Sequence, residues 1–417
     1  MKILFVPSAE PSHVVAMATT AWAACVAGHD VRVAASPAVV DTVVGAGLTA
    51  VEVGADHGMG EILQTHGAAI ENEIADWSEP FIDRQDWESV LIKYQVAIPY
   101  GLALYAEPVL DDLVAFARSW QPDLVVWDQL AYAGPVAARA CGAAHARLLW
   151  MVDVYSSMRE TFLALAAQQP STRTEDPLRE WITGLLSRYG LDFDDAVLTG
   201  DVTIDQIPPS IQLPSDTDRV MMRYVPYNGR SVIPNWLLSP PERPRVCITG
   251  STSFGTDTGG GFLPFSECLA ALADIDAEVV VTLGRTDRSE IGPVPANVRV
   301  VDFAPFSALL PTCAAVIHHG GFGTWATAAS SGVPQLIIPI RHGDLWIRGE
   351  RTAAVGAAVN RHPSALTAAD LRESVTRLID PDGDHRRAAV ALADEIAGLP
   401  APAAVAERFG SLVETAV

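Results

Sequence analysis

The run Val316-Ile317-His318-His319-Gly320-Gly321-Phe322-Gly323-Thr324-Trp325 closes an apolar stretch that begins at Ala314 and leads into Ala326-Thr327-Ala328-Ala329, good helix formers without a breaker. Its pattern predicts a strand, a glycine-rich turn, and a helix that begins near Thr324. Glycine lets the backbone come close to a ligand, and a helix start points free N–H groups and the positive end of its dipole at the same spot. An anion belongs there. The dipole alone supplies only about 0.3–1 kcal/mol at an exposed end, so a diphosphate needs further donors, which His319 and the Thr324 hydroxyl are placed to give. The competing reading is an ordinary turn whose glycines serve packing.

The chain around this stretch has 417 residues, enough for two domains that each bury a core. Apolar residues make up 49% and charged residues 19%, the balance of a globular chain. A formal net charge of −22 argues against nucleic acid or an anionic membrane surface as partner, since both select a basic face. A small ligand fits better. The five cysteines (Cys25, Cys141, Cys247, Cys268, Cys313) are odd in number and scattered, which suggests reduced thiols and a cytoplasmic protein, with neither a disulfide frame nor metal spacing. Met1 to Pro7 is too short an apolar run for a signal sequence and reads as a first strand. No run approaches the roughly 18 apolar residues of a membrane span.

In the first half, Ile3 to Val6 predicts a buried strand, the loop from Pro7 to His13 follows, and a helix runs from Val14 to Ala27 before the next strand at Val31 to Ala35. This is a βαβ unit, and its first loop lies where open α/β sheets place ligands. The loop lacks G-x-G-x-x-G, so NAD and FAD are not expected. It offers His13 at the helix start, either a general base or a plain capping histidine. Pro122 to Asp128 predicts another strand ending in a carboxylate. Asp128 then shares a rim with His13 and either holds its ring in one tautomer or serves as an ordinary helix cap. Trp77, Phe81, Tyr94 and Tyr105 fall in a stretch of weak periodicity, as pocket lining or as core. Leu148 to Asp153 reads as one more strand with its exit loop, and Glu175 to Tyr189 as an amphipathic helix that either packs on its own domain or meets a partner.

Prolines cluster between Ile204 and Arg245, which predicts a linker. Beyond it, Arg245 to Thr249 is a strand followed by a hydroxyl-rich loop containing Ser251, suited to a phosphate or sugar hydroxyl. Further strands are expected at Glu278 to Gly284 and Val298 to Phe303, and the turn from Phe303 through Phe306 to Ser307 can stack on and bond a base. Pro334 to Pro339 predicts a strand whose exit loop turns Asp344 toward a cleft. Helices close the chain at Thr367 to Ile379, about His385 to Ala397, and Pro402 to Val413.

With these residues placed, the chain resembles the family 1 glycosyltransferases of GT-B fold, and most closely the bacterial deoxysugar and aminosugar transferases of macrolide and anthracycline biosynthesis. The resemblance runs almost end to end, through Ala27-Gly28-His29-Asp30-Val31-Arg32-Val33, Ala144-His145-Ala146-Arg147-Leu148-Leu149-Trp150, Met222-Arg223-Tyr224-Val225-Pro226-Tyr227-Asn228-Gly229, and Leu309-Leu310-Pro311 into His318-His319-Gly320-Gly321. It implies two Rossmann-like doubly wound parallel-sheet domains facing a central cleft. The expected division is an acceptor-binding domain over 1–207, a linker over 208–243, a donor-binding domain over 244–400, and a final helix over 401–417 that packs back on the first domain.

The resemblance also implies roles. His13 is the base for the acceptor hydroxyl and Asp128 orients it. Ser251, His319, Gly321, Gly323 and Thr324 hold the donor diphosphate, Phe303, Phe306 and Ser307 the base, and Asp344 the sugar, while Trp77, Phe81, Tyr94 and Trp150 line the acceptor site. The donor is a dTDP-sugar with no cofactor or metal. An auxiliary activator protein similar to a cytochrome P450 without a working haem site is an implied partner, and a homodimer is compatible. Two positions depart from the family pattern: Gly343 stands where tryptophan is common, and Leu345 replaces a polar residue, which suits a deoxygenated sugar. Two other classes share parts of this pattern, a nucleotide-sugar epimerase of the same architecture and a non-catalytic nucleotide-sugar-binding partner. The presence of His13 speaks against the second, and the family-like blocks speak against the first.

Overall fold

The computed structural model describes residues 1–58, 76–250, 265–284 and 288–416. Ser251 lies outside the described residues. The chain forms two compact units, one built from Met1–Ile207, Gln212–Arg223 and Pro400–Val417, the other from Pro208–Ile211 and Tyr224–Leu399.

The first unit holds a seven-stranded parallel sheet, β1 (Lys2–Val6), β2 (Asp30–Ala35), β3 (Ala50–Glu52), β4 (Leu124–Asp128), β5 (Ala144–Leu149), β6 (Val202–Asp205) and β7 (Arg219–Met221), in the order β3-β2-β1-β4-β5-β6-β7. The second holds a six-stranded parallel sheet, β8 (Arg245–Thr249), β9 (Glu278–Thr282), β10 (Val298–Val301), β11 (Ala315–His318), β12 (Gln335–Ile337) and β13 (Ala358–Asn360), in the order β10-β9-β8-β11-β12-β13. Parallel strands covered on both faces read as continuous apolar runs, and Ile3 to Val6 and Val246 to Ile248 are such runs. In the second sheet alternate residues feed two cores. Val246, Ile248, Val279, Val281 and Ile317 pack with Leu269, Leu371 and Val375, whereas Cys247, Val280 and Val316 pack with Leu309, Leu310 and Ala328. Each fully buried aliphatic side chain contributes about 1.5–3 kcal/mol. The order reverses between β1 and β4, and again between β8 and β11, and a doubly wound sheet opens a crevice beyond the strand ends at such a point.

Two expectations change. The strand read at Leu148 to Asp153 runs earlier, over Ala144–Leu149, because His145 and Arg147 disguise it. Arg147 enters the core only because it pairs with Asp153 at 2.7 Å and donates to Thr203 at 3.1 Å. The proline-rich stretch is not linker throughout. Arg219–Met221 pairs with β6 as the last strand of the first sheet, and Arg219 bonds Asp205 at 3.1 Å. Residues 400–417 lie with the first unit: the Pro402–Ala406 helix packs on the Pro11–Val26 helix, and the Arg223 amide donates to the Pro400 carbonyl at 2.7 Å.

One stretch among the described residues, Asp384–Ala406, matches a membrane span by length and composition, with mean hydropathy 1.4. No uninterrupted apolar run of that length is present, since Asp394 and Glu395 fall inside it. The backbone turns extended at Leu399 before a new helix starts at Pro402, so the stretch is two helices.

Candidate active site

His13 is the third residue of the Pro11–Val26 helix, which Pro11 starts at a position where its missing N–H is no loss. Asp128 ends β4, whose neighbour β1 leads into that helix. Their side chains meet: His13 Nδ1 lies 3.0 Å from Asp128 Oδ2, and the carboxyl is fully buried. Asp128 accepts from every other partner too. Its Oδ1 takes the Leu130 amide at 3.0 Å, a local turn bond, and Oδ2 takes the Trp150 indole N–H at 2.6 Å. An acceptor at all these contacts leaves the imidazole proton on Nδ1 and the lone pair on Nε2. The ordinary turn role and the orienting role of Asp128 are thus divided between its two oxygens.

Trp150 stands edge-on to the His13 ring, centroids 4.5 Å apart at 88°. Sequence reading placed it in an acceptor pocket, but its N–H serves the carboxylate. The other aromatic candidates separate. Tyr94 and Trp77 are core residues at 2% and 3% exposure, and Tyr94 packs on Trp77 at 5.6 Å and on Phe162 at 5.3 Å. Tyr94 therefore does not line an open pocket here; desolvation among these rings holds its hydroxyl far above the ordinary phenol range. Phe81 is exposed. Glu10, beside the helix start, accepts from the Tyr105 hydroxyl at 3.1 Å, a pairing across 95 residues that no local pattern signals.

In the second unit β11 ends at His318 and the helix starts at Phe322, two residues before the expected Thr324, with Gly321 as its cap. The first helical bond runs from the Trp325 amide to the Gly321 carbonyl at 3.0 Å, so earlier amides lack a partner within the helix. Gly320 sits at φ +95°, a conformation glycine adopts without strain. Gly321 is required by contact, because a Cβ there would lie 2.7 Å from His319 Nε2. At Gly323 the nearest atom to such a Cβ is the Tyr224 hydroxyl at 3.9 Å, an ordinary contact, so no neighbour among the described residues demands glycine. Thr324 is half-buried in the first turn.

Burial pushes the His318 ring down to about 3, helped by the charge repulsion of His319, and the His319 ring down to about 4, helped by Arg348. Both are neutral at physiological pH. His318 Nε2 bonds Gln335 Oε1 at 2.8 Å while its Nδ1 accepts from the Gly320 amide at 3.0 Å. Arg348, 1% exposed, donates to the Gly320 carbonyl at 2.6 Å and pairs with Asp344 at 2.9 Å. The Asp344 carboxylate is buried and pairs with Arg348, because the two stand one helical turn apart at the start of the Leu345–Ala354 helix. Sequence reading missed Arg348, although that i,i+4 spacing was its signal.

The remaining donor-side candidates lie nearby in sequence but differ in exposure. Phe303 is 56% exposed, Phe306 is partly buried against the core, and the Ser307 amide donates to Asn228 Oδ1 at 2.9 Å. Among the described residues, no group of three or more His, Cys, Asp or Glu is placed to hold a metal ion.

Two doubly wound parallel-sheet domains, one with a histidine–carboxylate pair and the other with a glycine turn at a helix start, define a glycosyltransferase of the GT-B class, and solved structures agree. The chain superposes on the glycosyltransferase VinC, solved with dTDP, with TM-score 0.87 and 37% identity over 100% of this chain and 99% of that one. Spinosyn forosaminyltransferase SpnP follows at 0.82 and 36%, covering 99% of both. The chain belongs to the erythromycin biosynthesis protein CIII-like family, matching its N-terminal domain over residues 22–251 and its C-terminal domain over 266–412. Among its relatives are 10-deoxymethynolide desosaminyltransferase of Streptomyces venezuelae, 44% identical over 99% of this chain and 97% of that protein, and aclacinomycin-T 2-deoxy-L-fucose transferase of Streptomyces galilaeus, 41% identical over 96% and 94%.

Proposed function

We propose that this chain is an inverting glycosyltransferase that moves a deoxysugar or amino-deoxysugar from a dTDP-sugar to a hydroxyl of a polyketide-type acceptor, macrolide or anthracycline-like. The observation that carries the reaction is the His13–Asp128 pair, which leaves Nε2 with a lone pair and a carboxylate behind the ring to stabilise the imidazolium. His13 Nε2 takes the acceptor hydroxyl proton as that oxygen forms its bond to the anomeric carbon from the face opposite the leaving group. The bond from that carbon to the diphosphate oxygen breaks, and dTDP departs with the electron pair. One displacement inverts the carbon.

The donor reading rests on the turn at Gly320 and Gly321. The first-turn amides of the Phe322–Ser330 helix, the Thr324 hydroxyl and neutral His319 are the donors for the departing diphosphate, and Ser251, Phe303, Phe306 and Ser307 belong to the phosphate and base contacts. These donors serve where a cation otherwise would, so the reaction proceeds without added metal. Relatives named for desosamine and 2-deoxy-L-fucose transfer support a deoxygenated sugar. The same reading makes the protein cytoplasmic, in keeping with its five unpaired cysteines, and keeps a P450-like activator and a homodimer within its scope.

The test is calorimetric titration with dTDP, UDP and NAD, followed by turnover of dTDP-deoxysugars with macrolide and anthracycline acceptors in the presence of a chelator. Binding of dTDP that weakens in Thr324→Val, with chelator-insensitive turnover, is the expected result. Binding of NAD with neither nucleotide diphosphate bound removes the reading.

A further inference from the structure

We infer that His318 and Arg348 are positioning residues of the diphosphate turn: they hold the Gly320 peptide by both of its polar groups, and Arg348 adds a buried positive charge beneath it. This deepens the donor-site reading and rests on it.

A buried peptide group left without a partner costs free energy comparable to a lost hydrogen bond, and Gly320 has its amide and its carbonyl inside the protein. His318 answers the first. Its ring turns back from the end of β11, its Nδ1 accepts the Gly320 N–H, and its Nε2–H donates to Gln335 on neighbouring β12. Both nitrogens are thus engaged, and the bonds fix the neutral tautomer. His318 has nothing left for a ligand, whereas its position in the chain sets the turn that presents His319 and the helix start.

Arg348 answers the second. One guanidinium nitrogen reaches the Gly320 carbonyl and another the Asp344 carboxylate, and the group lies 5.3 Å from the Trp325 ring centroid and 5.8 Å from that of Phe322. A planar fork held by two acceptors and two rings has one place to sit, which a lysine cannot reproduce. Its charge is also oddly placed for stability alone. It stands beside the start of the Phe322–Ser330 helix, where the dipole is already positive and a cation is disfavoured. Asp344 balances the guanidinium charge for charge, and a diphosphate bound at the turn would meet both the peptide that Arg348 holds and the helix start. Burial and the Arg348 charge together oppose protonation of both neighbouring histidines.

The experiment is calorimetric titration of the full chain with dTDP and with thymidine, which shares the base and sugar but lacks the diphosphate, with thermal melts alongside. Arg348→Met is expected to weaken dTDP binding at least about tenfold and Arg348→Lys several-fold, both leaving thymidine within about twofold of wild type. His318→Gln is expected to weaken dTDP in the same selective way by a smaller factor. Equal weakening of both ligands means a general disturbance and overturns the inference, as does unchanged dTDP affinity in a folded Arg348→Lys variant, which decides the matter if Arg348→Met does not fold. Wild-type protein that binds no dTDP overturns the donor reading together with the inference. Tight wild-type binding with indifferent variants overturns the inference alone.

Discussion

The rim beyond β1 and β4 and the rim beyond β8 and β11 are the same place in the same fold, yet the chain has filled them in opposite ways. At the first, a histidine backs onto a buried carboxylate and keeps one nitrogen as an acceptor. At the second, two adjacent histidines have a guanidinium as their charged neighbour, and burial keeps both rings neutral, near 3 and 4. The imidazole is common to both. What differs is the sign of the group behind it, and on the proposed function that separates a proton acceptor from a neutral donor. A second difference follows: the first rim works through side chains, the second through a backbone turn that side chains hold in place.

The largest break in this comparison comes from the proposed base. His13→Ala is expected to lower turnover by about 10²–10⁴-fold with dTDP affinity unchanged, and a variant that turns over normally would remove the first rim from the chemistry. Asp128→Asn comes next, with a loss of roughly 10²-fold or more, because an amide can offer an N–H where the ring needs an acceptor and so favours the wrong tautomer. Full activity in that variant would reduce Asp128 to its turn bond with Leu130. On the other rim the backbone is the target. Gly320→Ala, at φ +95° and with Ile337 Cγ2 at 3.3 Å from the added carbon, is expected to lose roughly 1–3 kcal/mol in denaturant titration and to weaken dTDP.

The histidines of the second rim also predict a pH dependence whose sign follows from their depressed values. Between about pH 4 and 6.5 the unfolded chain binds protons that the folded rings refuse, so stability rises with pH across that window and is lost as pH falls. Each such histidine contributes a slope of at most about 1.4 kcal/mol per pH unit. In His318→Gln the slope should flatten by one histidine's share; an unaltered slope in melts from pH 6.5 to 4 counts against a neutral buried ring. The smallest effect is expected at Trp150. Trp150→Phe keeps the edge contact with His13 but removes the donor to Asp128, so turnover should fall by about tenfold or less with acceptor KM unchanged. A raised acceptor KM with unchanged turnover would return Trp150 to the acceptor pocket.

Sequence made the second rim visible because an apolar run, three glycines and an uninterrupted helix former follow one another within a few residues. The first rim needed two distant segments, and only the alternation of strands and helices suggested that residue 13 and residue 128 share an edge. Three things stayed hidden for physical reasons. Arg147 and His145 look wrong for a buried strand until their partners Asp153 and Asp201 are seen across space. Tyr94 and Trp77 read equally as pocket or core, since an aromatic ring suits both. The pairing of Asp344 with Arg348 stayed hidden because an arginine four residues beyond a loop aspartate reads as an ordinary solvated charge.

The return of residues 400–417 to the first unit has a consequence for protein engineering. An exchange of donor-binding halves between relatives has two natural splice points, one between Arg223 and Tyr224 and one between Leu399 and Pro400. A chimera cut only once would carry a foreign tail onto the Pro11–Val26 helix, the segment that bears His13. A failure of such a hybrid would then say more about that misfit tail than about sugar preference.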